Sequence, residues 1–223
     1  MLPVTESELR ELVRATVRSE MANANVQSNH LFVDEFVLGE RGRIDLAVIG
    51  ERFQGFELKS DLDTLSRLPR QMKVYSEIFD YCTLVITPRH LKAARAVLWR
   101  GWGLSVVSRI EGEGLSYKRV RKPTLTTRVE SVPLASLLWR DEALKALDSL
   151  GHSTGLRSKP RDVLWQRLAE VTTGDDLRKI VSSAITARQG WRDGRELREC
   201  DATPQSSGVS SRFLARRFLP QSR

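Results

Sequence analysis

The run RIDLAVIGERFQGFELKSD, Arg43 to Asp61, constrains the fold more than any other part of the chain. Two apolar segments alternate with charge at a period of two, and a short GER turn joins them. That pattern predicts an antiparallel strand pair. On the first strand Arg43, Asp45, Ala47 and Ile49 share a face, while Ile44, Leu46 and Val48 share the other. On the second, Gly55, Glu57 and Lys59 lie opposite Phe56 and Leu58. If a helix packs on the aliphatic side, Asp45, Glu57 and Lys59 emerge together. Charges in such apolar company are costly unless they pair or hold a metal. Gly55 is expected to leave room for a ligand backbone.

The remaining pattern places this pair in an α/β domain. Thr5 to Ala22 reads as a helix, with Thr5 and Glu8 as a capping box and Leu9, Leu12, Val13, Val17 and Met21 as its apolar stripe. LFVDEFVLG precedes the pair as a further strand. A helix then starts near Arg67, since Pro69 is tolerated only in a first turn. YCTLVIT is a buried strand, PRHLKAARAVLWR a helix, and GLSVVSRI and GLSYKRVR two more strands. Strand, helix and strand after a meander predict a mixed sheet. From Pro133 three amphipathic helices are expected, ASLLWRDEALKALDSLG, PRDVLWQRLAEVT and GDDLRKIVSSAITARQGW, packed as a cap on the core. We therefore divide the chain into a core at 1–130, a helical accessory region at 131–200 and a basic tail at 201–223. The tail has no acid after Asp201, carries Arg212, Arg216, Arg217 and Arg223, and has the composition of a disordered segment.

Composition narrows the function classes. No stretch approaches the ~18 apolar residues of a membrane span, and the N-terminus lacks an apolar signal region. Cys82 and Cys200, the two cysteines, form neither a disulfide framework nor a metal knuckle, which fits a reducing cytoplasm. A net charge of +8 favours polyanionic partners, nucleic acid first among them. His30, His90 and His152 lack metal-ligand spacing and read as surface or capping residues.

Two carboxylates and an ammonium group suit phosphodiester hydrolysis. Hard oxygen ligands hold Mg²⁺ or Mn²⁺, which acidifies a bound water and neutralises phosphate charge. A lysine beside them can orient the water or stabilise the transition state. Asp45 followed by Glu57-Leu58-Lys59, with a tight turn between and a helix carrying Gln71 and Tyr75 after, resembles the PD-(D/E)XK nuclease superfamily, also called restriction-endonuclease-like. The wider run RIDLAV…GFELKSDLDTLSRL…Q…Y is similar to an uncharacterised bacterial branch, and the likeness covers about residues 5–110.

The resemblance implies an α-β-β-β-α-β core, Asp45 and Glu57 as metal ligands with the Leu58 carbonyl, and Lys59 assisting the water. It also implies an upstream acid, for which Glu35 is the candidate, with Asp34, Glu20, Glu11 or another acid of the first helix as rivals. Gln71 fits a position on the helix beside the site. Asp63 is expected to cap that helix, and Asp61 is open between capping and an outer role. A plain Asp45–Lys59 cross-strand ion pair is the structural alternative.

Two basic segments are candidate nucleic-acid contacts: Lys118, Arg119, Arg121 and Lys122 on the last strand, and Arg157, Lys159 and Arg161 at a helix start. The first could instead be a charge-protected sheet edge, the second a solvated loop. The expectation is a metal-dependent nuclease with DNA favoured over RNA. The alternative is a catalytically silent nucleic-acid-binding or protein-interaction module on the same scaffold. A lone active site often needs a second copy to cut both strands, which leaves a homodimer open, and a protein partner on the C-terminal helices stays open too.

Overall fold

A computed structural model describes residues 2–23 and 30–188; the tail at 201–223, Cys200 and the end of the expected last helix lie outside the described residues. The chain order is α1 (Glu6–Asn23), β1 (Leu31–Val37), β2 (Arg43–Ile49), β3 (Gln54–Lys59), α2 (Leu68–Ser76), β4 (Tyr81–Ile86), α3 (Leu91–Val97), β5 (Gly103–Ile110), β6 (Gly114–Arg121), α4 (Ser131–Ala135), α5 (Arg140–Ser149), α6 (Arg161–Val171) and α7 (Gly174–Ala187). Six strands form one mixed sheet in the order β1-β2-β3-β4-β5-β6. The β3–β4 and β4–β5 pairs are parallel and the other three antiparallel. No helix among the described residues is long and apolar enough to cross a membrane.

The central strands β2, β3 and β4 are buried on both faces because both are covered. Leu9, Val13 and Val17 of α1 pack with Leu46, Val48, Phe56, Leu58, Val85 and Val107. On the other side Leu84, Ile86 and Leu104 join Met72 and Phe79 around α2, and Leu147, Leu164, Leu168, Leu177 and Val181 of the C-terminal helices continue the same cluster. Thr5 and Glu8 do form the capping box that starts α1: the Thr5 amide donates to the Glu8 carboxylate at 2.9 Å and the Glu8 amide to Thr5 Oγ1 at 3.3 Å.

The helical layer is clasped to the sheet through a buried ion pair. Asp80, just before β4, accepts from the Phe53 amide at 2.8 Å and from Arg178 Nε of α7 at 3.0 Å. A second Arg178 nitrogen lies 2.9 Å from the other Asp80 oxygen.

Several expectations are corrected. The helix expected over ASLLWRDEALKALDSLG begins only at Arg140: Ala135 ends the short α4, and residues 136–139 link it to α5. Leu137 and Leu138 are buried between them, and Trp139 takes an extended conformation whose amide donates to Glu142, opening α5 afresh. His90 is buried, not a surface residue, and its Nε2 pairs with the Ser60 carbonyl at 2.8 Å, directly behind Lys59. Asp63 closes the turn after β3 by accepting from the Ser60 amide at 2.8 Å, and does not cap α2. Asp61 accepts from the Val4 amide at 2.8 Å and pins the start of the chain.

Gly55 serves packing, not a ligand. A Cβ there would fall 2.5 Å from Ile44 Cδ1 and 3.0 Å from the Phe79 ring. Gly55→Ala is expected to lower unfolding stability by about 1–3 kcal/mol through overpacking. A denaturant midpoint equal to wild type would show that Ile44 and Phe79 yield freely.

Candidate functional site

The site forms where the β2–β3 ladder ends. Leu46 pairs with Phe56, Ala47 with Gly55 and Val48 with Gln54, and the pairing stops there. The next residues in register are Asp45 and Glu57. In place of a ladder bond, the Leu58 amide donates to Asp45 Oδ2 at 2.7 Å. The carboxylate thus holds the two strands together at the point where they part.

Around Glu57 the bonding is dense but incomplete. Glu57 is 1% exposed and Lys59 4%. Lys59 Nζ donates to Glu57 Oε1 at 2.6 Å and Gln71 Nε2 to the same oxygen at 2.5 Å. The Tyr75 hydroxyl donates to the Arg43 carbonyl at 2.6 Å, which ties α2 to β2. Glu57 Oε2 and Gln71 Oε1 are buried without a hydrogen-bond partner. Two adjacent acceptors left without donors favour an electropositive group.

Electrostatics point the same way. Burial, and then the neighbouring Glu57, push the Asp45 carboxyl up to about 7. Burial raises Glu57 too, against the pull of Lys59. Burial and both carboxylates hold the Tyr75 phenol well above its usual range, so it stays protonated.

These residues line an open cleft of about 400 Å³. Asp45, Glu57, Leu58, Lys59 and Gln71 all reach it, as the sequence suggested, together with Tyr75. Glu35 does not. Its backbone has φ +49°, so the strict alternation of β1 breaks there. Asp34 and Glu35 both turn toward α1, pairing with Arg14 at 2.5 Å and Arg10 at 3.3 Å, and Glu35 also holds Arg43 at 2.7 Å. Phe36 and Ile44, which face each other across the strands, then both enter the core on the α2 side. Period-two reading fails here on both strands, since Ile44 leaves the face of Leu46 and Val48 on which the alternation placed it.

The acid that α1 does bring to the cleft is Glu6, close enough to Asp45 to raise its pKa. Sequence reasoning kept an acid of the first helix as a rival to Glu35 without singling out Glu6. It also missed a basic rim formed by Arg41, Arg43, Arg67 and Arg70. Arg67, at the N-cap of α2, stands four residues before Gln71, a spacing that could have flagged it. Among the described residues no group of three or more His, Cys, Asp and Glu side chains is arranged as a metal site.

The two basic segments differ in placement. Lys118, Arg119 and Arg121 sit on the edge strand β6, with Lys122 just past its end, three strands from β3, roughly 14 Å away. Arg119 is paired with Glu20 at 2.6 Å, and Arg121 donates to the Trp102 and Trp99 carbonyls at 2.7 and 3.0 Å. Arg157 and Lys159 are exposed in the loop before α6. Arg161 lies 3.1 Å from Glu40, itself on the wall of the cleft.

Residues 5–200 match the family of bacteriophage P4 protein cII. This chain belongs to that family. Protein cII of enterobacteria phage P4 is 26% identical over 162 residues, which is 72% of this chain and 60% of that protein. The chain therefore spans about 60% of the length of that cII relative. A solved structure, a protein of unknown function from Silicibacter pomeroyi, is 17% identical with a TM-score of 0.36, over 59% of this chain and 86% of that one. That likeness is too slight to bear on the fold of this cII family member.

The raised Asp45 pKa has a consequence for stability. Between the unfolded carboxylate pKa of 3.8 and about 7, the folded chain holds a proton that the unfolded chain has lost. Folding stability without metal therefore falls as pH rises through that window. Asp45→Asn cannot ionise and keeps an acceptor for Leu58. In chelator, denaturant titrations should find it about 1–2 kcal/mol more stable than wild type at pH 8 and equal near pH 4. A less stable variant at pH 8 would contradict this account of the burial.

Proposed function

We propose that this cII family member is a metal-dependent nuclease built on a PD-(D/E)XK core, hydrolysing phosphodiester bonds. DNA is favoured over RNA on the superfamily resemblance. The observation that carries the reading is the convergence of Asp45, Glu57 and Lys59 in an arginine-rimmed cleft, where Glu57 Oε2 is buried without a donor. The donors fit a hard divalent cation such as Mg²⁺ or Mn²⁺: Asp45, Glu57 and the backbone of Leu58 would hold it. Such an ion supplies an acidified water and neutralises phosphate charge.

The chain's own residues do the rest. Lys59 and Gln71 fix the Glu57 carboxylate, and the Leu58 amide fixes Asp45. Lys59 is the ammonium positioned to orient water and meet charge developing on the phosphate. Arg67, exposed at the N-cap of α2, and Arg70, exposed in its first turn, offer phosphate contacts outside the reacting bond.

The test is incubation of plasmid, linear and single-stranded DNA and RNA with Mg²⁺ or Mn²⁺. Cleavage that requires the ion is expected. Arg67→Glu and Arg70→Glu should each weaken substrate binding and make it less sensitive to salt. Binding without turnover under every ion would replace this reading with a silent nucleic-acid-binding module.

A further inference from the structure

A second and larger groove adjoins the cleft. Its volume is about 810 Å³, and Glu40 and Arg41 form a wall common to both cavities. That wall is a short 3-10 turn, Gly39–Arg41, between β1 and β2. It is held from two sides, by Arg41 with Glu77 and by Arg161 with Glu40 at 3.1 Å.

The far side of the groove combines indoles with guanidinium groups. Trp139 stays 44% exposed although Arg188 lies over its ring at 4.3 Å. Arg161 lies over the Trp165 ring at 5.4 Å, and Trp165 is anchored by its Nε1, which donates to the Leu138 carbonyl at 3.0 Å. Arg140 bonds the Arg157 carbonyl and so joins the groove to the basic loop before α6. An exposed indole with a guanidinium over its ring and further cations beside it is the chemistry that stacks unpaired bases and tracks their backbone. A duplex offers no free base faces to such a platform.

We infer that this groove receives a single-stranded segment of the polynucleotide as it leaves the cleft, with a base on Trp139 and phosphates on Arg140 and Arg161. The occupant is polynucleotide because the groove lies across the Gly39–Arg41 wall from the cleft and carries the arginines. The inference rests on the nuclease reading and narrows its substrate to nucleic acid with an unpaired end or flap.

The test uses the full chain carrying Asp45→Asn, without divalent ions, and a labelled oligothymidylate of about 15 nucleotides. Fluorescence anisotropy should show binding that weakens with salt. Trp139→Ala should lower affinity at least about tenfold, Trp139→Phe should restore most of it, and Arg161→Glu should weaken it independently. Affinity unmoved by both Trp139→Ala and Arg161→Glu, in a chain that cleaves DNA, overturns the groove assignment and leaves the nuclease reading intact. Trp139-dependent binding in a wild-type chain that never cleaves supports the groove and overturns the nuclease reading instead. Concentration-dependent dimerisation abolished by Trp139→Ala assigns the groove to a second copy and overturns the inference.

Discussion

Asp45→Ala, Glu57→Ala and Lys59→Ala are each expected to reduce ion-dependent cleavage at least about a hundredfold while leaving oligonucleotide binding measurable. The three changes act differently on the same cluster. Asp45→Ala removes one candidate oxygen ligand and the acceptor for the Leu58 amide at 2.7 Å. Glu57→Ala removes the carboxylate on which Lys59 and Gln71 converge. Lys59→Ala leaves both carboxylates buried without their ammonium partner, so Glu57 is driven further toward its protonated form. Single-turnover cleavage, measured against pH, separates these effects. Losing Lys59 should shift the rising limb of the profile to higher pH as well as lowering its plateau. Cleavage at wild-type rate in any of the three, with each protein folded, would remove that residue from the chemistry.

Arg178→Ala should cost about 3–5 kcal/mol, enough to consume much of the stability of a domain this size. The loss follows from what it leaves behind. Asp80 has a side chain 2% exposed, and Arg178 supplies two of its contacts. Without Arg178 the carboxylate keeps the Phe53 amide and a longer 3.4 Å contact to Arg52. Removing both partners, Asp80→Asn with Arg178→Met, should be much milder than Arg178→Ala alone, because no uncompensated charge then stays buried. Urea titration of the single and double variants measures the difference. Equal destabilisation by both would locate the cost in lost packing of α7 instead of in the stranded charge.

Much of the architecture was legible because it depends on local periodicity. Alternation in RIDLAVI and GFELK predicts β2 and β3, and the spacing of Leu9, Val13 and Val17 predicts α1. Pro69 marks the start of α2 through its missing amide. The convergence of Asp45, Glu57 and Lys59 was legible for the same reason: neighbouring strands joined by a short turn have little choice of register. Leu137 to Trp139 were less legible, since an apolar run within a helical pattern does not announce where burial will break it.

The sequence by itself determined the antiparallel meander of β1, β2 and β3, a mixed sheet flanked by helices, and that two carboxylates and a lysine share one end of the β2–β3 pair. Only the tertiary structure decided the rest of the site. Glu35 leaves it because one residue with positive φ turns its side chain toward Arg10 and Arg43. Glu6, Arg41, Arg67 and Arg70 enter it from three separate segments. Gly55 proves to be a packing residue because Ile44 and Phe79 occupy the space above it. Periodicity describes which way a side chain points along its own strand or helix. It carries no information about which charges from distant segments will meet, because that depends on how the layers stack.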